Sequence, residues 1–415
     1  MNQSKKLRIN GDRLREEITT LASIGRDQDH GINRMAFSEG DRAAREWLQR
    51  RIEASGLEFH QDGAANLYGR LGWDGTTPSV LTGSHIDTVP GGGHLDGALG
   101  VLAGLEVLRT IAESGVRCKR PLEVAAFSDE EGRFGGMFGS QALAGLITPE
   151  TIYNSVDLNG VTLLDAMAGL GLDALDALRA RRRPESLHAS VELHIEQGPV
   201  LDRERVAVGV VEAITGLFKW GVRLIGVPNH AGTTPMAMRR DALQGLAEFA
   251  GQIDRILEEH GSESSVATIG RVELHPGAPN TVPGQVDFSL DVRDPDPRIL
   301  DELFDAFRRA LSAIGRRRDL MFEFDVLSEI EPTQCDPAVV ERIAATADEL
   351  AIETRRMVSG AAHDTQSLAR VTRAAMIFVP SKEGRSHSIA EWTDWEDIET
   401  GANLLLQTLL RLANE

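Results

Sequence analysis

His85-Ile86-Asp87 is followed by a run of glycines, Gly91-Gly92-Gly93, and then by His94-Leu95-Asp96-Gly97. A histidine and a carboxylate two residues apart share one face of a strand. Asp87 is thereby placed to hold the second ring nitrogen of His85, the support that a metal-ligating histidine needs. The glycines permit a tight turn that brings Asp96 back to the same spot. Taken alone, the segment also reads as a glycine-rich turn with a solvated His and Asp. A second cluster, Asp129-Glu130-Glu131, directly follows the apolar stretch 122–127. Adjacent glutamates on a helix would be a solvated face. At the end of a buried strand they are costly unless something cationic faces them. Neighbouring residues point in different directions, so one can ligate metal while the other handles protons, as metal-assisted hydrolysis requires. A surface acidic turn is the competing reading of this segment.

His194-Ile195-Glu196-Gln197-Gly198 and Gly384-Arg385-Ser386-His387-Ser388 each add one histidine beside an apolar strand. Each by itself is an ordinary structural or loop histidine. The sum changes the balance: three histidines, one aspartate and one glutamate, all at strand ends of one frame. Five N/O donors with one shared carboxylate suit a pair of borderline divalent ions. Neither cysteine is near these motifs, so a thiolate zinc or iron–sulfur site is not supported. There is no G-x-S-x-G elbow and no Walker-type phosphate loop.

The elements that must position these residues alternate in type. Ser38 opens a Ser-x-x-Asp capping pattern for a helix over 39–54, which Gly56 stops. Strands are expected at 57–60, 66–71, 80–83, 121–127 and 191–195. A helix is expected over 97–113, where Val101, Leu105, Leu108 and Ile111 recur at helical spacing. Three of the strands finish in ionisable residues, at the edge where open α/β sheets bind ligands. Between Gly216 and Leu327 the order becomes strand 218–227, helix 238–259, strands 265–272 and 285–293, helix 298–314 and strand 320–326. This βαββαβ order is the ferredoxin-like motif, and it folds as a unit. The α/β pattern then resumes with a helix over 338–350, a strand over 374–379 and a last helix from Trp395. The expected organisation is thus an α/β domain over 1–215 and 328–415, with 216–327 inserted through hinges near 213–216 and 328–332.

The chain has 415 residues, 41% of them hydrophobic and 26% charged, a globular balance long enough for two domains. Its formal net charge of −19 repels phosphate backbones and anionic lipid, so neither nucleic acid nor membrane is an expected partner. The same field repels a carboxylate ligand, so a site for one must carry local positive charge. Two cysteines, Cys118 and Cys335, exclude a disulfide framework. With no signal-peptide pattern at the N-terminus and no membrane-spanning apolar run, the expected setting is cytoplasmic.

The segments SHIDTVPGGGHLDG, SDEEGRFG, LHIEQGPVL, NHAGTTPM, PGAPNTVPG, DVRD, SGAAHDT and PSKEGRSH, in this order over nearly the whole chain, resemble the hydantoinase/carbamoylase branch of the M20 metallopeptidase-like hydrolases. That branch holds N-carbamoyl-L-amino acid hydrolases, allantoate amidohydrolases and beta-ureidopropionases. The resemblance implies a metal-dependent exopeptidase-like catalytic α/β domain with an inserted ferredoxin-like dimerisation or lid domain. It implies that His85, Asp96 and His194 hold one divalent ion, that Asp96, Glu131 and His387 hold another, and that Glu130 is the general acid/base. Zinc is the default metal, with manganese, cobalt or nickel as alternatives. It further implies that His230, Asn280 and Arg293 bind substrate together with Gln197 and Gly360, that the chain is a homodimer through the inserted domain, and that His230 and Arg293 reach the partner subunit's site. The residues themselves agree. Arg293 supplies the cation that a carboxylate needs and can bind it through two parallel hydrogen bonds. A surface salt bridge to Asp291 or Asp294 is its alternative. His230 can donate to a developing oxyanion, or simply belong to a capping loop. Asn280, between Pro279 and Thr281-Val282-Pro283, can serve its stiff turn alone.

The expected function is removal of the carbamoyl group from an N-carbamoyl-L-amino acid, with a small carboxylate-bearing ureido compound as substrate. Allantoate or N-carbamoyl-beta-alanine is the nearest alternative, and a peptidase or aminoacylase is a further one. A binding protein without activity would lack ligands that are all present here.

Overall fold

A computed structural model describes residues 7–415. Two compact units are distinguished. One runs up to Glu212 and resumes at Cys335; the other is Ala213–Gln334.

In the first unit the strands lie in the order Glu58–Gln61, Leu67–Leu71, Leu122–Phe127, Ser79–His85, Leu187–Ile195, Ala374–Val379 and Val208–Ile214, with Thr354–Ser359 also on the last of these. Four of them are mutually parallel. Ser79–His85 pairs with Leu122–Phe127 on one side and Leu187–Ile195 on the other, and Leu187–Ile195 pairs with Ala374–Val379. Register aligns His85 with Phe127, and His194 with Phe378. The carboxyl ends of these strands therefore lie at one edge, and each hands the chain to a polar loop. Their interior positions are buried without alternation, as befits strands covered on both faces.

The helix Ala98–Ser114 packs on the strands Ser79–His85, Leu122–Phe127 and Leu187–Ile195, and on the helices Gly11–Leu21 and Trp395–Leu412. It is buried at every position from Ala98 to Ile111, so it is apolar nearly all round rather than on one stripe. Its two buried charges are paired, Glu106 with Arg13 at 2.6 Å and Arg109 with Glu17 at 3.1 Å. The helix Glu39–Ala54 starts as its sequence indicates, with the Ser38 hydroxyl accepting the Asp41 amide at 3.3 Å. The return contact differs: the Asp41 carboxylate accepts the Phe37 amide at 2.8 Å, one residue before the cap.

The second unit is an antiparallel sheet in the order Val272–His275, Gln285–Asp294, Gly216–Ile225, Met321–Ile330, with Val266–Thr268 also on Gln285–Asp294. This is the ferredoxin-like strand order. Alternation is strict: Phe218, Trp220, Val222 and Leu224 face the core from one strand, and Val286, Phe288, Leu290 and Val292 from its neighbour. The helix Pro297–Arg318 covers them, with Phe304 edge-on to Trp220 at 4.7 Å between ring centres. Two expected elements are split. The helix expected over 238–259 is two helices, Ala242–Ala250 and Ile253–His260, because Asp241 caps the first turn late and Gly251 ends it early. The strand expected over 265–272 is the two short strands Val266–Thr268 and Val272–His275.

Candidate metal centre

Asp96 stands between two groups of ligands. His85 ends its strand with Nε2 3.6 Å from Asp96 Oδ1, and His194 Nε2 lies 3.2 Å from the same oxygen. The other oxygen, Oδ2, is 3.2 Å from His387 Nε2, which is itself 3.5 Å from Glu131 Oε2. Donor atoms of His85, Asp96 and His194 form one compact cluster, and those of Asp96, Glu131 and His387 form a second. Each oxygen of one carboxylate thus serves one cluster, the arrangement a bridging ligand must have. Gly97 makes this approach possible. Its φ is +62°, and a Cβ there would fall on the His85 ring.

The hydrogen bonding tests whether a cation fits. His85 Nδ1 lies 3.0 Å from the Asp87 carbonyl, and His194 Nδ1 lies 2.8 Å from the Ile195 carbonyl. A carbonyl only accepts, so both rings carry their proton on Nδ1. In the neutral rings, Nε2 then presents a lone pair towards the Asp96 carboxylate, with His194 Nε2 also accepting the Gly97 amide at 3.2 Å, and facing acceptors of this kind are reconciled by a proton or a metal ion shared between them. The charges say the same. Burial opposes a charged His85 ring, yet the sum of Glu130, Asp96, Asp87 and Glu131 raises its pKa well above the ordinary value. The hydrogen bond to Asp96 lifts His387 to about 9. Burial, and then Asp96, push Glu131 to about 7. This donor set of nitrogen and oxygen suits a pair of divalent ions.

Glu130, its side chain 10% exposed, lies beside the first cluster with Oε2 3.5 Å from His85 Nε2. Burial raises its pKa well above the usual carboxylate range, with further contributions from Asp364, Glu131 and Asp87 that outweigh the opposing His85. Asp129 sets the divergence of the two glutamates: it adopts φ +53°, and its carboxylate accepts the Phe134 amide at 3.0 Å. Asp87 plays a part different from the expected one. Its carbonyl, not its carboxylate, holds the His85 ring; the nearer carboxylate oxygen is 3.8 Å away.

Gln197, with φ +57°, donates from Nε2 to Asp96 Oδ2 at 2.8 Å, and its buried Oε1 has no hydrogen-bond partner among the described residues. Gly360 lies in the turn held by Ser359, whose hydroxyl contacts the Ala361 backbone and His363 Nε2. The remaining expected substrate residues belong to the second unit. His230 is exposed in the short strand Asn229–His230, which pairs with Thr281–Val282, and the Asn280 carbonyl accepts the Ala231 amide at 2.8 Å. His230 Nδ1 accepts the Gly232 amide at 3.1 Å, which leaves its proton on Nε2. Arg293 lies in the larger sheet, with Nε donating to Asp291 at 2.9 Å.

Sequence reasoning missed a buried scaffold beneath the first cluster. Glu192 accepts from Ser84 Oγ at 2.7 Å and from Thr365 Oγ at 2.6 Å, and His363 packs edge-on to His194 at 4.5 Å between ring centres. Glu192, His194 and His363 are close enough to resemble a third ligand group. The Glu192 oxygens are already engaged by hydroxyls, which makes this a support for His194. Glu391 was missed as well; it carries no strand-end signal, only a position four residues after His387.

A model described as peptidase family M20/M25/M40 matches residues 81–411. An N-carbamoyl-L-amino acid amidohydrolase of Geobacillus stearothermophilus is 38% identical over 98% of this chain and 99% of its own length. An allantoate amidohydrolase of Escherichia coli K12 is 36% identical, over 96% and 97% respectively. The crystal structure of a hydantoinase/carbamoylase family amidase from Burkholderia multivorans matches with a TM-score of 0.92 at 35% identity, covering 99% of both chains.

Proposed function

The chain belongs to the peptidase M20/M25/M40 family, in its hydantoinase/carbamoylase branch, and from this we propose that it hydrolyses the carbamoyl group of N-carbamoyl-L-amino acids. The products are the L-amino acid, ammonia and carbon dioxide, with one water consumed. The observation that carries this reading is Asp96, with each carboxylate oxygen turned to its own ligand cluster, in a chain similar over its full length to carbamoyl-amino-acid amidohydrolases.

His85, Asp96 and His194 would hold one divalent ion, and Asp96, Glu131 and His387 the other, with zinc first and manganese, cobalt or nickel as alternatives. Such ions supply Lewis acidity, which polarises the ureido carbonyl and acidifies water. Glu130 takes the proton from the attacking water on its carboxylate and delivers it to the departing nitrogen. Its burial supports that double task, because a raised pKa lets one carboxyl act as base and then as acid near neutral pH. The Oε1 of Gln197, without a hydrogen-bond partner among the described residues, offers an acceptor for a ureido N–H. Arg293 binds the substrate carboxylate and His230 Nε2 donates to the developing oxyanion, both at the partner subunit's site of a homodimer formed through the inserted unit. The two cysteines, neither in a disulfide, accord with a cytoplasmic setting.

The test is ammonia release from N-carbamoyl-L-methionine, N-carbamoyl-beta-alanine and allantoate, with and without a chelator. Chelator-sensitive release from the first is the expected result. Release from allantoate alone moves the assignment to the reaction named for the Escherichia coli relative. Release from none of the three, with metal bound, refutes the ureido substrate class.

A further inference from the structure

The loop carrying Asp96 and the loop carrying His387 come from distant parts of the chain, yet the centre requires them in register. One buried side chain joins them. Glu391 is 2% exposed. Its Oε1 accepts the backbone amides of Leu95 at 2.7 Å and of Asp96 at 3.2 Å. Its Oε2 lies 2.9 Å from the Ser386 hydroxyl, which is also 2.7 Å from Asp96 Oδ2. The same carboxyl group occupies the space a Cβ at Gly93 would need, so the last glycine of the run is shaped around it. Its own backbone closes the second loop, with the Glu391 amide donating to the Ser388 carbonyl at 3.1 Å.

We propose that Glu391 is a positioning residue of the metal centre, fixing the bridging carboxylate of Asp96 twice. It holds the Asp96 backbone directly and the Asp96 carboxylate through the Ser386 hydroxyl, and in doing so locks the segment that presents His387. An unsupported Asp96 could rotate about its side chain and offer both oxygens to one cluster. The bond to Ser386, beside that from Gln197 Nε2, holds Oδ2 on the side of His387 and leaves Oδ1 to His85 and His194. Glu391 belongs to neither candidate ligand cluster. The inference rests on the metal-centre part of the function proposed above and is independent of which ureido compound is the substrate.

The test is zinc affinity, measured by chelator competition on the full-length protein, together with the melting temperature of the metal-free form. Glu391→Ala is expected to weaken the more loosely held zinc by about 10–100-fold, the usual effect of removing a group that orients a ligand. Glu391→Gln keeps an oxygen for the two amides and can donate to Ser386, so it is expected to recover most of that affinity. Ser386→Ala, which removes only the hydroxyl, is expected to shift affinity in the same direction as Glu391→Ala, and it decides the matter if Glu391→Ala does not fold. A lower melting temperature with unchanged zinc affinity in the folded fraction would make Glu391 merely structural and overturn the proposal. A Glu391→Gln variant as weak as Glu391→Ala would make charge, not placement, its contribution, and overturns it too. Wild-type protein that binds zinc but releases no ammonia refutes the ureido substrate class alone; wild-type protein that binds no zinc refutes the centre itself.

Discussion

The Asp87 carboxylate accepts the backbone amide of Glu131 at 3.1 Å, and its second oxygen stands 3.4 Å from the amide of Glu130. With its carbonyl on His85, this one residue contacts a candidate ligand of the first cluster, one of the second and Glu130, the group proposed to transfer the proton. Asp87→Ala keeps the carbonyl on His85 but removes the carboxylate from the Glu131 amide, so it is expected to lower affinity for the ion held by Asp96, Glu131 and His387 by about 10–100-fold and to leave the other ion's nearly unchanged. It leaves two amide groups without their acceptor, at a stability cost of roughly 1–3 kcal/mol for each that stays buried. Metal competition and thermal unfolding measure the two effects separately. Equal loss of both ions' affinity would show that the carboxylate also supports the His85 cluster.

Glu130→Gln should retain both ions and lose turnover by about 10²–10⁴-fold, the range expected when a general acid/base is removed. The amide is nearly isosteric and still neutral at any working pH, so the fold and the ligand cage should persist. Metal content by elemental analysis and kcat on one preparation decide it. Substantial residual activity would assign proton transfer elsewhere.

The convergence of the candidate ligands was legible because His85, Glu131, His194 and His387 sit where an apolar strand ends or runs into polar residues, as at Val379 before the His387 loop or Phe127 before Glu131, and the glycine turn after His85 brings Asp96 back to them. A parallel sheet gathers such ends without any further information. What sequence could not show is the layer beneath. Glu391 and Glu192 act through hydrogen bonds to residues far along the chain, and a lone glutamate has no spacing to betray that. The Asp87 assignment failed in detail for a related reason: a strand pattern places a residue on a face but does not say whether its carbonyl or its carboxylate will be used. In the second unit the alternation of Phe218, Trp220, Val222 and Leu224 announced its strand plainly. The break at Gly251 was less visible, because apolar periodicity continues across it through Ile253 and Ile256.

Arg293→Lys should raise KM for an N-carbamoyl amino acid by about tenfold or more, since a point-like ammonium cannot reproduce two parallel bonds to a carboxylate. Zinc affinity should not change. The same substitution should be nearly silent on a substrate whose carboxylate is converted to a carboxamide. An equal KM increase on both substrates would mean that Arg293 serves the fold, through its contact with Asp291, rather than the substrate.

Metal loading should depend on pH in a direction that the ligand pKa values fix. In the metal-free protein Glu131 sits at about 7 and His387 at about 9. Both must lose their protons to bind an ion, so loading releases protons and affinity rises with pH. For the ion held by Asp96, Glu131 and His387, two protons compete below about pH 7, where log affinity should climb by about two per pH unit. Between about 7 and 9 only His387 still competes and the slope should fall to about one; above that it should flatten. Chelator-buffered titrations from pH 6 to pH 9.5 follow this directly, with proton release in weak buffer as an independent count. An affinity that is flat across the range would mean that His387 and Glu131 are already deprotonated before the ion arrives, and that Asp96 does not hold a proton on the His387 ring.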